Sequence, residues 1–267
     1  MKKFLYCIIA FLIIGSAVGG AVLFSNLLYS DKPGGGFDTP QNSITATAPD
    51  NTDLWTDSGN YATSFAGGDG QSEATAYRIS TPEQLARLAY LINDSTTNST
   101  YRDLYYVQTA NIDLSLHYWD AIGTFPYDFR GSYDGGNFTI SGLFTQAGSS
   151  PTYNYQGLFG WVGGQSETNK AVIENVGIID SHVQGYEYVG GVVGRADYST
   201  ITNCYNTGSV SGSSSYVGGV VGGGGNYSTI TNCYNTGTVT GSGDYVGGVV
   251  GGTGTGMYTS ASITNCY

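Results

Sequence analysis

Residues 151–267 hold six carboxylates, Glu167, Glu174, Asp180, Glu187, Asp197 and Asp244, beside the basic groups Lys170, His182 and Arg195. Glycoside hydrolysis uses two facing carboxylates, and a lyase built from this set would have to use Arg195 alone as its base. None of the six acids recurs at a fixed interval. Asp197 and Asp244 fall in different connections, so these charges are read as solvated loop residues and no catalytic residue is assigned. Cys204, Cys233 and Cys266 do recur, but without CxxC or HxxxH spacing they point to no metal site. Despite 42 glycines the chain has neither a Walker A nor a GxGxxG motif, and no cofactor is expected. Two sets of tyrosines remain, Tyr188/Tyr216/Tyr245 and Tyr205/Tyr234/Tyr267. Stacked outward, such rings would stiffen the chain that carries them. They would equally form a sugar- or protein-binding stripe, since tyrosine is enriched at binding surfaces.

These residues recur because the segments around them do. "STITNCYNTG" stands at 199–208 and again at 228–237, and "SITNCY" at 262–267. Three clear copies start at Tyr188, Tyr216 and Tyr245, and a divergent one, "QGLFGWVGGQSETNKAVIENVGIIDSHVQG", occupies 156–185. The period of 28 to 29 residues marks a solenoid, a propeller or an array. Each copy has three apolar-bearing segments of four to six residues and no i, i+3, i+4, i+7 pattern, which excludes helical repeats. A propeller blade needs about 40–45 residues. Three short strands per turn therefore stack in parallel as an all-β helix, equivalent residues about 4.8 Å apart. Inward ladders would be Val189/Val217/Val246, Val192/Val220/Val249, Ile201/Ile230/Ile263 and Val210/Val239, with an amide ladder Asn203/Asn232/Asn265 at a turn. Paired glycines (190–191, 218–219, 247–248) suit close backbone approach or positive φ. Stacked cysteines would lie within the disulfide range of about 4.4–6.8 Å between Cα atoms. Three in a line cannot all pair, however, and the divergent copy has Val176 there, so they are read as small core hydrophobes. From the last glycine of "GGVVG" to the isoleucine ladder the gap is 7, 8 and 12 residues, so one flank carries the variable loop.

The 267 residues carry a net charge of −11, which argues against nucleic acid as a partner. At the N-terminus Lys2 and Lys3 precede an uncharged stretch from Phe4 to Leu28. Residues 1–30 fit a cleaved secretory signal and an uncleaved signal-anchor alike; in the second case the segment stays in the membrane, and both export the remainder. Residues 31–65, with Pro33, Pro40 and Pro49, read as a linker. Residues 66–150 read as an N-terminal cap followed by the first coils. In "ISTPEQLARLAYLIND", Thr81 is the N-cap, Pro82 the first helical residue and Gln84 the partner in a capping box. Leu85, Leu88, Ala89 and Ile92 form one face, and this short helix is expected to cover the open end of the solenoid. "DGGN" at 134–137 reads as a tight turn.

"GLFG" at 157–160, "YVGGVVG" and "ITNCYNTGSVSG" resemble the GLUG repeats of bacterial surface and secreted proteins. "YRISTPEQLARLAYLIN", "ANIDLS", "IGT" and "FRGSYDGGNFTISGLF" match the usual lead-in of such proteins, so the resemblance covers roughly residues 70–267. It implies a right-handed parallel β-helix of the pectate-lyase-like kind, found in adhesin-like proteins and sometimes beside immunoglobulin A peptidase modules, with no catalytic residue to transfer. The resulting expectation is a non-enzymatic, exported, cell-surface or secreted scaffold that binds a host protein or a glycan. The alternatives are a carbohydrate-active β-helix enzyme or the targeting region of a larger secreted peptidase. The repeat region 151–267 ends inside a copy, from which either a longer repeat array or end-to-end self-association is expected.

Overall fold

The computed structural model describes residues 47–253 and 261–267. The expected leader (1–30), the start of the linker and the tip of the last variable connection lie outside the described residues. Ser43–Tyr267 form a compact unit built as a parallel β-helix. One sheet runs through seven coils: Tyr77–Ile79, Tyr105–Gln108, Ser132–Asp134, Ala171–Glu174, Ser199–Thr202, Thr229–Thr231 and Ser262–Thr264. All pairings along it are parallel, and its register puts Tyr77, Tyr106, Tyr133, Ile173, Ile201, Ile230 and Ile263 in a single column. The expected isoleucine ladder is the downstream part of that column. Tyr106, Tyr133 and the first three isoleucines are fully buried or within 1% of it, each isoleucine contributing roughly 1.5–3 kcal/mol by burial.

Each of the two complete clear coils carries five short strands, where three were expected. Val189–Gly190, Val193–Asp197, Ser199–Thr202, Tyr205–Asn206 and Ser209–Gly212 belong to five different sheets. The segment "YVGGVVG" splits in two because the chain folds back on itself at its glycines. A Cβ on Gly190 would stand 2.2 Å from the Val193 carbonyl oxygen, and one on Gly218 2.1 Å from that of Val221. Close approach therefore accounts for the first two glycine pairs and for Gly247, whereas a Cβ on Gly248 would meet nothing within 4 Å; none of the six has positive φ. This bend turns Val192 and Val193 inward together, and Val220 and Val221 likewise. "CYNTGSVSG" splits at Thr207–Gly208, where the Asn206 amide accepts from the Gly208 N–H at 3.1 Å and donates to the Gly208 carbonyl at 2.9 Å.

The expected ladders Val189/Val217/Val246 and Val210/Val239 are in register. In the Val192/Val220/Val249 set, each N–H bonds the equivalent carbonyl of the next coil at 2.9–3.0 Å. Val246 and Ile263, in the last described coil, are 42% and 45% exposed.

The helix Pro82–Asn93 covers the opposite end. The Gln84 N–H bonds Thr81 Oγ1 at 3.3 Å. The return bond of the expected capping box lands one residue earlier, on the Ser80 N–H at 2.8 Å. Leu85, Leu88, Ala89 and Ile92 are fully buried in the common core. Asn93 ties the helix end to the coil by donating to Ala121 O and accepting from the Gly123 N–H, both at 3.0 Å. At "DGGN" the Asp134 carboxylate accepts the Gly136 N–H at 2.8 Å, and Gly136 and Asn137 have φ of 60° and 61°. One boundary needs correcting: the stretch read as linker to residue 65 joins the core well before that. Trp55 is 2% exposed and its indole N–H bonds Leu114 O at 3.0 Å, while Phe65 packs against Tyr77 and Tyr106. A tryptophan amid Asp, Asn and Thr showed no period, which is why the composition of this segment concealed its packing.

Candidate functional site

Tyr188, Tyr216 and Tyr245 stand at the entry to equivalent strands with φ of 57°, 63° and 62°. This is the left-handed region, which costs a side-chain-bearing residue roughly 1–2 kcal/mol. Glycine would avoid that cost, so the ring must contribute something in return. It stacks: Tyr188 on Tyr216 at 4.6 Å and 5°, Tyr216 on Tyr245 at 4.7 Å and 11°. Aromatic pairs of this kind add about 0.5–1.5 kcal/mol beyond their burial. Room for the rings comes from glycine in the neighbouring column, where a Cβ on Gly223 would stand 2.8 Å from Tyr188 and one on Gly252 2.8 Å from Tyr245.

The ladder runs further than the clear copies. Tyr155, again left-handed at 58°, stacks on Tyr188 at 5.4 Å, Trp161 on Tyr155 at 6.1 Å, and Phe125 on Trp161 at 5.9 Å. Six rings thus line one flank. Tyr205, Tyr234 and Tyr267 form a second ladder, at 4.9 Å and 5.5 Å. Tyr198 and Tyr227 form a third at 5.6 Å, which the sequence reading did not pick out. All five stripe residues named from the sequence are therefore in ladders, Tyr188/Tyr216/Tyr245 on one and Tyr205/Tyr234 on another.

Asp197 is not the solvated loop charge expected. It ends the strand Val193–Asp197, is 7% exposed, and accepts from Arg195 Nε at 2.7 Å and from the Trp161 indole N–H at 3.1 Å. The Arg195 guanidinium lies 5.5 Å over Trp161 and 5.4 Å over Tyr188. Burial alone would lower the pKa of Arg195, but Asp197 raises it above the usual value. The Tyr188 hydroxyl is pushed up to about 12, chiefly by burial. These groups clamp the ladder; an arginine locked to a carboxylate is poorly placed to act as a base.

The expected amide ladder is present. Asn265 donates to Asn232 at 3.2 Å, Asn232 to Asn203 at 3.3 Å, and Asn203 to Asn175 at 3.1 Å; Asn175 ends the row on Asp134 at 2.8 Å. A second amide ladder, Asn206 to Asn235 at 2.9 Å, is buried at Asn206. Cys204 and Cys233 are free and buried, with Sγ directed at the carbonyls of Thr202 and Thr231 at 3.3 and 3.4 Å. Burial pushes the Cys204 thiol up, and it sits where Val176 sits one coil earlier.

Two concave regions accompany the ladders. A cleft of about 540 Å³ opens at Phe125, beside Asp120, Asn154, Tyr155 and Gln156. A shallow groove of about 650 Å³ follows the register row Gly185, Gly212, Gly241, with only glycine, alanine, serine, threonine and Gln184 along it.

The GLUG motif model matches residues 185–211 and 213–240. The chain carries GLUG repeats. The matched windows fall on the clear copies, and the strand register places 156–185 and the copy from Tyr245 as equivalent coils on either side. A crystal structure of a "putative immunoglobulin A1 protease" from Bacteroides ovatus shares this fold, with a TM-score of 0.55 at 21% identity. The likeness covers 74% of this chain and 66% of that one, so the chain spans just under two thirds of its structural neighbour. Comparison with curated proteins gives no match. Within the divergent coil, "YQGLFG" at 155–160 is one residue shorter than "YVGGVVG". That deletion hides the equivalence of Tyr155 and Tyr188, which the Gln156–Val189 bridge makes plain.

Proposed function

We propose that this chain is an exported, non-enzymatic β-helical scaffold of the cell surface or secreted space, whose aromatic flank binds a glycan or a host protein. The observation that carries this reading is the six-ring ladder from Phe125 to Tyr245, four of whose tyrosines accept a strained backbone. Supporting it are the GLUG repeats and a net charge of −11 that disfavours nucleic acid. Binding of the full-length chain to a glycan array and to host cells, lost in a Phe125→Ala/Tyr188→Ala/Tyr216→Ala triple variant of the flank that remains folded, is the expected result. Binding unchanged in that variant would refute the role of the flank.

A second reading follows from the name of the structural neighbour: the chain would be part of an immunoglobulin A1-cleaving protein. Incubation with immunoglobulin A1 should leave the heavy chain intact if the scaffold reading holds, and cleavage would reverse the order of the two.

A further inference from the structure

Stacking uses up ring faces. From Trp161 to Tyr216 each ring of the main ladder has a neighbour on both sides at 4.6–6.1 Å, so this run offers edges and hydroxyls rather than faces. A ring face opens at the ladder's N-terminal end. Phe125 is 68% exposed although it is a large apolar side chain, and Trp161 is its one aromatic neighbour among the described residues, at an interplanar angle of 13°. An exposed aromatic ring at the mouth of a cleft is an apolar contact available to a ligand.

The cleft below it supplies polar groups of a particular kind. Asn154 has its side-chain oxygen buried with no hydrogen-bond partner among the described residues, which costs free energy until a donor arrives. The Gln156 amide donates to the Asn154 main-chain carbonyl at 3.2 Å and so holds this segment in place. Asp120 lines the same wall, accepts the Thr56 hydroxyl, and is raised above the usual carboxylate range by burial. Thr124 adds a hydroxyl. A volume of about 540 Å³ lies within the ordinary range of small-ligand sites.

We infer that the Phe125 cleft binds one or two units of a neutral saccharide, a pyranose laying its C–H face on Phe125 and giving its hydroxyls to Asn154 and Asp120. The ring's negative face suits the partly positive C–H bonds of a sugar, and amide and carboxylate side chains pair with hydroxyl groups. Charge selects against acidic sugars, because Asp120 is an acidic side chain in the wall of the cleft, the lining among the described residues holds no basic one, and the chain as a whole carries −11. This inference rests on the reading of the flank as a binding surface and assigns the contact to its end rather than to the stacked tyrosines.

The test is calorimetric titration of the full-length chain with tetrasaccharides of neutral glucose, mannose and galactose, and with tetragalacturonate. At least one neutral tetrasaccharide should bind and tetragalacturonate should not. Phe125→Ala should weaken binding tenfold or more, Phe125→Trp should keep Kd within threefold, and Tyr227→Phe on the third ladder should leave it unchanged. Since Phe125 is mostly exposed, its variants should melt as the parent does, which separates lost binding from lost folding. Wild-type affinity in Phe125→Ala, a preference for tetragalacturonate, or no binding of any neutral member would overturn the assignment. If Tyr216→Ala abolishes binding while Phe125→Ala does not, the cleft is wrong and the binding role of the flank stands.

Discussion

The first coils and the GLUG coils fill the same cross-section in different ways. Toward the first coils the columns carry large side chains and several change residue as the repeats begin: Tyr77, Tyr106 and Tyr133 are followed by Ile173, and Phe129 by Val162, Ala196 and Gly224. Rings from different columns interlock there, Phe129 and Tyr133 each meeting Phe159 at 5.2 Å. In the clear GLUG coils most columns repeat, and the main neighbour of such a side chain is its own copy. A third column, Ile112, Ile140, Ile178, switches to Asn206 and Asn235 where the clear repeats begin. Buried asparagine is affordable there because each amide finds the next at a fixed spacing, a partner that irregular packing would not guarantee. The difference teaches that regular stacking lets small and polar residues serve as interior, whereas the irregular end depends on large rings that fit one another.

The largest expected effect tests the facing that like-on-like stacking requires. Ile230 is fully buried between Ile201 and Ile263, and Thr231 points the other way. Ile230→Asp places an unpaired charge in the coil and should cost more than ~3 kcal/mol, while Thr231→Asp should stay within about 1 kcal/mol. Denaturant titration reads both, and equal losses would mean that the repeat interior is not the dry column described.

A second test contrasts the two regions directly. Tyr133 is fully buried and donates to Gln108 Oε1 at 3.2 Å; Gln108, 1% exposed, gives its own amide to Ala110 O and Thr139 O. Tyr133→Phe removes one atom yet strands that oxygen, so about 1–3 kcal/mol should be lost. Ile201→Val in the repeats deletes a methyl group with like neighbours above and below and should cost about 0.5–1.5 kcal/mol. A larger loss for Ile201→Val would erase the distinction between interlocked and stacked interiors.

How much of this could be read beforehand follows the same division. Where copies repeat, alignment alone places Ile201 over Ile230 and Asn203 over Asn232, because identical residues in a parallel coil must be neighbours. The helix face Leu85, Leu88, Ala89, Ile92 is equally legible from its period. Where columns change residue, alignment has nothing to hold. The ring stack beyond Tyr188 crosses a one-residue deletion, Trp55 sits in a segment without a period, and the Phe125 cleft joins residues from separate coils. Asp197 was misread for a related reason: its burial depends on Trp161, 36 residues earlier, in a copy that lacks the clear motif.

The third test separates strain from stacking on the ladder itself. Tyr216→Ala removes two ring contacts but keeps a Cβ at φ 63°. Tyr216→Gly removes the same contacts and relieves the left-handed strain of roughly 1–2 kcal/mol, less what glycine's extra freedom in the unfolded chain returns. Both should be destabilising, with alanine the worse by about 1 kcal/mol in thermal or denaturant melts. If glycine were the worse, the left-handed backbone would not be the constraint that the ladder offsets.

The smallest effect expected is a gain. Gly224 follows Phe129, Val162 and Ala196 in a shrinking column, ahead of Thr253, and it has no positive φ. A Cβ there would find Ile230 Cδ1 at 3.4 Å, Ala261 Cβ at 3.8 Å and Gly252 O at 4.0 Å, all ordinary contacts. Gly218, by contrast, would meet the Val221 carbonyl oxygen at 2.1 Å and cannot be changed without moving backbone. Gly224→Ala should therefore stabilise the chain by about 0.4–1 kcal/mol, mostly by restricting the unfolded state, with some added apolar contact against Ile230. A rise of a few degrees in melting temperature, together with a fall for Gly218→Ala, is the expected pattern. A fall in both would mean that the repeats need glycine at Gly224 for backbone freedom and not merely for lack of anything to put there, and the taper from Phe129 downward would then be a backbone requirement rather than a packing choice.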